Sequence, residues 1–117
     1  MGDCIYMTRG LDHNIFLFSE EQWKIFYDKI KGINTYNARD LQLFFFGNAA
    51  QSPIDGQGRI AIPQDLRDFA NLQKEVTVVA VAGKLELWDT AKWNAFNLKM
   101  ENDKGVEETL RELNLNI

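Results

Sequence analysis

Arg59 stands one residue after a glycine-bearing turn, Asp55-Gly56-Gln57-Gly58, and four residues after a carboxylate. A guanidinium in that place has two uses. It can pair with Asp55 and stiffen the turn, or its planar fork can meet a phosphate or a guanine edge. Asp55 is expected to accept hydrogen bonds from backbone N–H groups of its own turn. Gly56 and Gly58 are expected to supply positive φ there. Pro63 reads as the first residue of a short helix, which carries Arg67 either toward phosphate or simply into solvent. Lys74 adds a third cation to the same half of the chain. This chemistry is anion recognition rather than bond-making.

Other chemistries find little support. His13 is the single histidine and lies in a turn cluster, and Cys4 is the single cysteine, so a zinc cluster within one subunit is not expected. No serine or cysteine nucleophile has a base signature beside it. Gly56-Gln57-Gly58 lies between two short strand-like runs without a βαβ unit, so it is not a dinucleotide loop. The reading is of a non-enzymatic protein without cofactor or metal.

The elements that must hold the arginine follow from periodicity. Residues 3–10 and 15–18 read as strands around an Asp12-His13-Asn14 turn. Ser19 is a helix N-cap with Gln22 three residues on, in the pattern of a capping box. Trp23, Phe26, Tyr27 and Ile30 make one apolar helix face, ended by Gly32. A second helix is predicted over 35–46, apolar on so many sides that it must be buried or meet a partner. Residues 49–54 form a weak strand that Pro53 confines to an edge. A strand over 59–62 and a helix over 63–70, stopped by Asn71, come next. Residues 75–81 and 84–88 form a hairpin about Ala82-Gly83, and Asp89 caps a helix carrying Trp93 and Phe96. The aromatics are core or subunit interface rather than stacking platforms. The tail, 101–117, is a peripheral helix or frayed end.

The chain also repeats itself. Trp23 and Trp93 are 70 residues apart, and at that offset Ile15 meets Leu85, Leu17 meets Leu87, Phe18 meets Trp88, Ser19 meets Asp89 and Thr8 meets Val78. Arg9 then corresponds to Val79. The Asp55–Arg67 element precedes the second copy, and its counterpart would fall upstream of Met1. The expectation is an amino-truncated two-repeat protein, or a start assigned too late, or a lineage that lost the first hairpin.

Composition bounds the rest. With 117 residues and 45% hydrophobic content, one globular domain, or two very small ones sharing a core, is expected. No apolar run reaches the roughly 18 residues that span a bilayer. No basic-then-apolar leader opens the sequence, and the lone cysteine suits a reducing compartment, so the expected location is cytoplasmic. The net charge of −4 disfavours non-specific nucleic-acid binding but leaves room for a local basic patch.

The element Asp55-x-x-Gly58-Arg59-Ile60-x-Ile62-Pro63-x-x-Leu66-Arg67 resembles the DNA-binding half of an AbrB-like swapped-hairpin domain. Thr8-Arg9-Gly10-Leu11-Asp12, Phe44–Ala49, Lys74-Glu75-Val76 and Leu85–Asp89 narrow the resemblance to the MraZ family of bacterial transcriptional regulators. It spans roughly residues 4 to 96. The sequence departs from the family pattern in lacking the first Asp-x-x-x-Arg hairpin and in carrying Leu43 where many relatives carry arginine. The resemblance implies an α+β fold with a β-barrel core built from two pseudo-repeats with peripheral helices. Residues 1–33 would be an incomplete first repeat, 34–49 a linking helix, 50–100 the second repeat and 101–117 the tail. It further implies sequence-specific binding to double-stranded DNA at promoter direct repeats of division and cell-wall genes, with nucleoid association and ring-shaped homo-oligomers. Arg59, Arg67 and Lys74 would be the DNA-binding residues. An oligomeric interaction module, antitoxin-like and without DNA affinity, is the alternative.

Overall fold

Two short strand-forming runs on either side of the Asp12-His13-Asn14 turn build the first hairpin. In the computed structural model, which describes residues 3–115, strands β1 (Cys4–Arg9) and β2 (Ile15–Ser19) pair antiparallel with Met7 opposite Leu17. Met7, Ile15 and Leu17 point to one face of the sheet, and Tyr6, Phe16 and Phe18 to the other. Helix α1 (Glu20–Lys31) starts at Ser19, whose hydroxyl accepts the Gln22 backbone N–H at 3.2 Å, and Gly32 closes it.

Helix α2 (Ala38–Phe45) begins three residues later than its apolar pattern suggests. The Ala38 N–H closes a turn onto the Thr35 carbonyl, and Asn37 caps without a side-chain bond. Phe45 is buried with Phe16 and Phe18, and Leu41, Phe44 and Phe46 pack around them, while Leu43 stays half exposed. The aromatic stripe is thus core. The buried Thr8 hydroxyl donates to the Phe45 carbonyl and ties α2 to β1.

Strand β3 (Ala50–Pro53) takes the edge position that Pro53 demands. The run after it corrects a sequence expectation. Residues 59–62 do not form a strand. Pro53 lacks an N–H for a ladder, and the Ala61 N–H is taken by the Ser52 hydroxyl at 2.9 Å in place of a carbonyl. The alternation survives without the ladder, because Ile60 and Ile62 still pack against the core of Met7, Ile15, Leu17 and Leu87. Helix α3 (Gln64–Phe69) follows and drives Leu66 and Ala70 into the same cluster, at 1% and 0% exposure. Asn71, at φ 50°, ends it.

Strands β4 (Val76–Val81) and β5 (Lys84–Asp89) close through Ala82 and Gly83, at φ 40° and 88°, the double positive φ of a two-residue hairpin turn. Helix α4 (Thr90–Asn102) is capped by Asp89, and its Trp93 and Phe96 pack on Trp88. Helix α5 (Gly105–Glu112) lies at the periphery. Residues 1, 2, 116 and 117 of the outer expected segments lie outside the described residues.

The sheet order β3-β1-β2-β5-β4 joins the two hairpins through β2 and β5. Ile15 faces Leu87, Phe16 faces Glu86 and Leu17 faces Leu85. Since Ile15 and Leu17 are also the repeat equivalents of Leu85 and Leu87, a local two-fold passes between Phe16 and Glu86. This is the hairpin arrangement of an AbrB-like fold, α+β as expected, with the sheet left open.

One repeat correspondence shifts. Arg9 faces Ile15 across five residues, but Ala80 faces Leu85 across four. Thr8 therefore corresponds to Val79 rather than Val78, and Arg9 to Ala80 rather than Val79. The two-fold is also broken in burial. Met7 and Ile15, under α3 and Ile60, are at 0% exposure, whereas their mates Val78 and Leu85 are 58% and 39% exposed. One half of this sheet face is covered and the other is bare.

Candidate nucleic-acid interface

The Asp55 turn is held by its own backbone. The Asp55 N–H donates to the Arg59 carbonyl at 2.9 Å, and the Gly58 N–H to the Asp55 carbonyl at 3.0 Å. Asp55 Oδ1 accepts the N–H groups of Gln57 and Arg59, each at 2.8 Å, which is an Asx turn extended by two residues. Oδ2 accepts Arg59 Nε at 2.9 Å. These contacts hold the Asp55 carboxyl below the ordinary carboxylate range, the Arg59 backbone N–H first, then that of Gln57, with the Arg59 side chain adding to them. Gly58 has the positive φ, 78°. Gly56 does not, and the space where a side chain would stand is open, so only one of the two turn glycines is required by backbone shape.

Pairing with Asp55 and presentation to a ligand turn out to be compatible. The ion pair uses Nε alone, and the Arg59 side chain is 71% exposed. Its terminal NH₂ groups keep donors for an outside acceptor. The carboxylate sets the guanidinium's direction, and Ile60, packed on the core, anchors the next residue.

Arg67 sits on the exposed side of α3, opposite buried Leu66 and Ala70. Its Nη2 donates to Gln64 Oε1 at 2.7 Å, and Gln64 Nε2 in turn donates to Asp68 Oδ1 at 2.7 Å. Pro63 stands one position earlier than expected. It is the N-cap, at φ −58° and ψ 149°, and its carbonyl accepts the Arg67 N–H. The structure keeps Asp55, Gly58 and Arg59 together in one turn and carries Arg67 on the helix that follows. Lys74 is placed apart from that turn. It lines a recess with Glu75, Asp89 and Thr90 at the start of α4.

Residues 45–113, which contain the whole turn, α3 and Lys74, match a family model described as "MraZ protein, putative antitoxin-like". The chain belongs to the MraZ family. It is 41% identical over 99 residues to the transcriptional regulator MraZ of Alkaliphilus metalliredigens, covering 83% of this chain and 69% of that relative. The corresponding protein of Halothermothrix orenii is 40% identical over 98 residues, 82% of this chain and 68% of the relative. That of Clostridium tetani is 33% identical over 117 residues, 98% and 82% respectively.

Within this MraZ-family fold, three supporting contacts escape sequence reasoning. The Arg9 guanidinium lies against the rings of Phe69 and Phe44, at 4.8 and 5.7 Å, and so links β1 to α3 and α2. His13, at φ 53°, stacks on Phe69 at 4.8 Å, beside that same helix. At the local two-fold, Glu86 Oε1 accepts both Asn14 Nδ2 and Trp88 Nε1, and Lys84 pairs with Oε2 at 3.4 Å. Asn14 is fully buried. Apart from Trp88–Glu86 and Lys84–Glu86, each two residues apart, these contacts link residues far apart in sequence, so local pattern carries no signal for them.

Proposed function

We propose that this chain is a sequence-specific DNA-binding transcription regulator. In this reading it is a repressor of division and cell-wall genes that binds promoter direct repeats as an oligomer. The observation that carries the reading is the Asp55–Arg59 turn, a self-braced loop that aims an exposed guanidinium away from the core. Arg59 reads a base edge or grips phosphate, Arg67 adds phosphate contact from α3, and Lys74 contributes from the α4 side. The names of the relatives support the reading. A net charge of −4 makes each module a weak binder, so several must act together for useful affinity. Cytoplasmic, nucleoid-associated location follows from the same reading. Among the described residues, no helix is long and apolar enough to cross a membrane.

The acidic balance favours a second reading, an antitoxin-like oligomeric interaction module without DNA affinity. A band-shift titration against a promoter fragment with direct repeats separates the two. Under the first reading binding is selective over scrambled DNA, and Arg59→Ala weakens it about 5- to 150-fold, the effect of about 1–3 kcal/mol from one bidentate contact. Unchanged binding by Arg59→Ala sinks the site assignment. Assembly with no DNA binding at low salt establishes the second reading.

A further inference from the structure

The tip of the Asp55 turn carries one side chain that the fold leaves unused. Between Asp55 and Arg59 stand Gly56, Gln57 and Gly58, so Gln57 is the one residue of the tip with a side chain, and it is exposed. Its backbone is fixed. The Gln57 N–H donates to Asp55 Oδ1 at 2.8 Å, the same oxygen that accepts the Arg59 N–H. Its side-chain amide has no hydrogen-bond partner among the described residues. The exposed glutamines that follow in the chain are engaged: Gln64 accepts from Arg67 and donates to Asp68, and Gln73 donates to Asn71.

Gly56 points the same way. Its φ is ordinary, and a Cβ there would meet nothing within 4 Å. Neither backbone shape nor packing accounts for a glycine at that position, whereas close approach of the main chain to a ligand does. A Cβ at Gly58 would also meet nothing within 4 Å, so the tip stands clear of the rest of the chain. Two cross-bonds tie its arms into a narrow ribbon, Asp55 N–H to the Arg59 carbonyl and Ala61 N–H to the Ser52 hydroxyl, each at 2.9 Å. The major groove of duplex DNA, about 12 Å wide, admits a two-stranded ribbon.

We propose that Gln57 reads an adenine in the major groove beside the contact made by Arg59, with Gly56 letting the main chain come close. The proposal rests on the DNA-binding reading above and adds a base to it. A side-chain amide holds a donor and an acceptor side by side. A phosphate uses only the donor. Adenine presents the N7 acceptor and the N6 donor together in the major groove, and so uses both. Because one Asp55 oxygen clamps the backbones of Gln57 and Arg59, amide and guanidinium approach the duplex as a unit. Two residues span at most about 7 Å of chain, and bases along a strand are about 3.4 Å apart, so the two targets fall within a few base pairs.

The test uses the full chain. Selection from a random duplex library gives the preferred site, and fluorescence titration on that duplex measures each variant, with urea denaturation as the folding control. The selected site is expected to hold an adenine at which Gln57→Ala, and at no other position, loses its preference. That variant binds the site about 5- to 150-fold more weakly, the loss of one bidentate base contact. Replacing the adenine by 7-deazaadenine, which lacks the N7 acceptor, weakens the unsubstituted chain and leaves Gln57→Ala unaffected. Gly56→Leu weakens binding to every duplex at unchanged stability. Unaltered preference of Gln57→Ala at every position overturns the proposal, while loss of binding by Arg59→Ala keeps the DNA-binding reading. Equal weakening of Gln57→Ala across all sequences makes Gln57 a phosphate contact and overturns base readout. Full binding by Gly56→Leu shows that the tip keeps its distance from DNA and overturns the proposal as well. An unsubstituted chain that selects no site overturns both the proposal and the reading beneath it.

Discussion

Asp55 organises its turn through three accepted hydrogen bonds, and its titration should report them. Its folded pKa is depressed, so the stability it contributes is present above the ordinary carboxylate range near pH 4 and is lost as pH falls through the lower folded value. A carboxyl-carbon NMR titration is expected to find Asp55 below the ordinary carboxylate range, and Asp55→Asn to lose that part of the acid dependence. The two glycines of the turn should behave differently. Gly58→Ala forces a Cβ into φ 78°, a left-handed conformation that costs roughly 1–2 kcal/mol. Gly56→Ala meets open space at ordinary φ and should change stability by less than about 0.5 kcal/mol. Urea denaturation of the two variants checks the pair. Equal effects would show that the turn does not depend on Gly58.

At the scale of elements, the local two-fold between β2 and β5 makes mates of residues in different surroundings. Met7 and Val78 hold equivalent positions, facing Leu17 and Leu87. The segment Ile60–Ala70 covers only the first. Met7→Ala is therefore expected to cost about 2–5 kcal/mol, as buried truncations do. Val78→Ala should fall below about 1 kcal/mol, since its side chain is 58% exposed. The difference between two symmetry mates in chemical denaturation measures what the covering segment contributes. Similar costs would mean that the β4–β5 face is covered in solution.

For the whole molecule, sign and distribution of charge matter more than totals. An acidic chain that binds DNA must do so through a few local cations, so the salt dependence should be shallow per subunit. Each phosphate contact removed lowers the slope of log K against log salt by about 0.9 on duplex DNA. Arg67→Ala is expected to reduce the slope by about one such contact per bound module while leaving sequence preference intact. A slope unchanged in that variant would mean that Arg67 keeps to its Gln64 contact and touches no phosphate.

The sequence by itself determined the elements whose signals are local. Strand-forming runs bounded by turn residues placed β1 and β2, a β-branched run placed β4 and alternation placed β5, while the capping residues Ser19 and Asp89 placed the starts of α1 and α4, and Pro53 assigned β3 to an edge. It determined the Asp55–Arg59 turn as well, since an Asx turn, a left-handed glycine and an i,i+4 ion pair all lie within five residues. What only the tertiary structure decided depends on partners distant along the chain. Residues 59–62 have strand alternation but no ladder, because Ser52 and Pro53 withhold the backbone partners. Arg9, half-buried, sets its guanidinium against two phenylalanine rings on different helices. Lys92 donates to the His13 carbonyl at 2.8 Å across 79 residues, and burial pulls its ammonium below the ordinary lysine range against the opposing pull of Asp12 and Asp89. Above all, two hairpins of matching pattern meet unequal fates. Alternation states which side of a strand is apolar, and only the packing of distant segments states whether that side is covered.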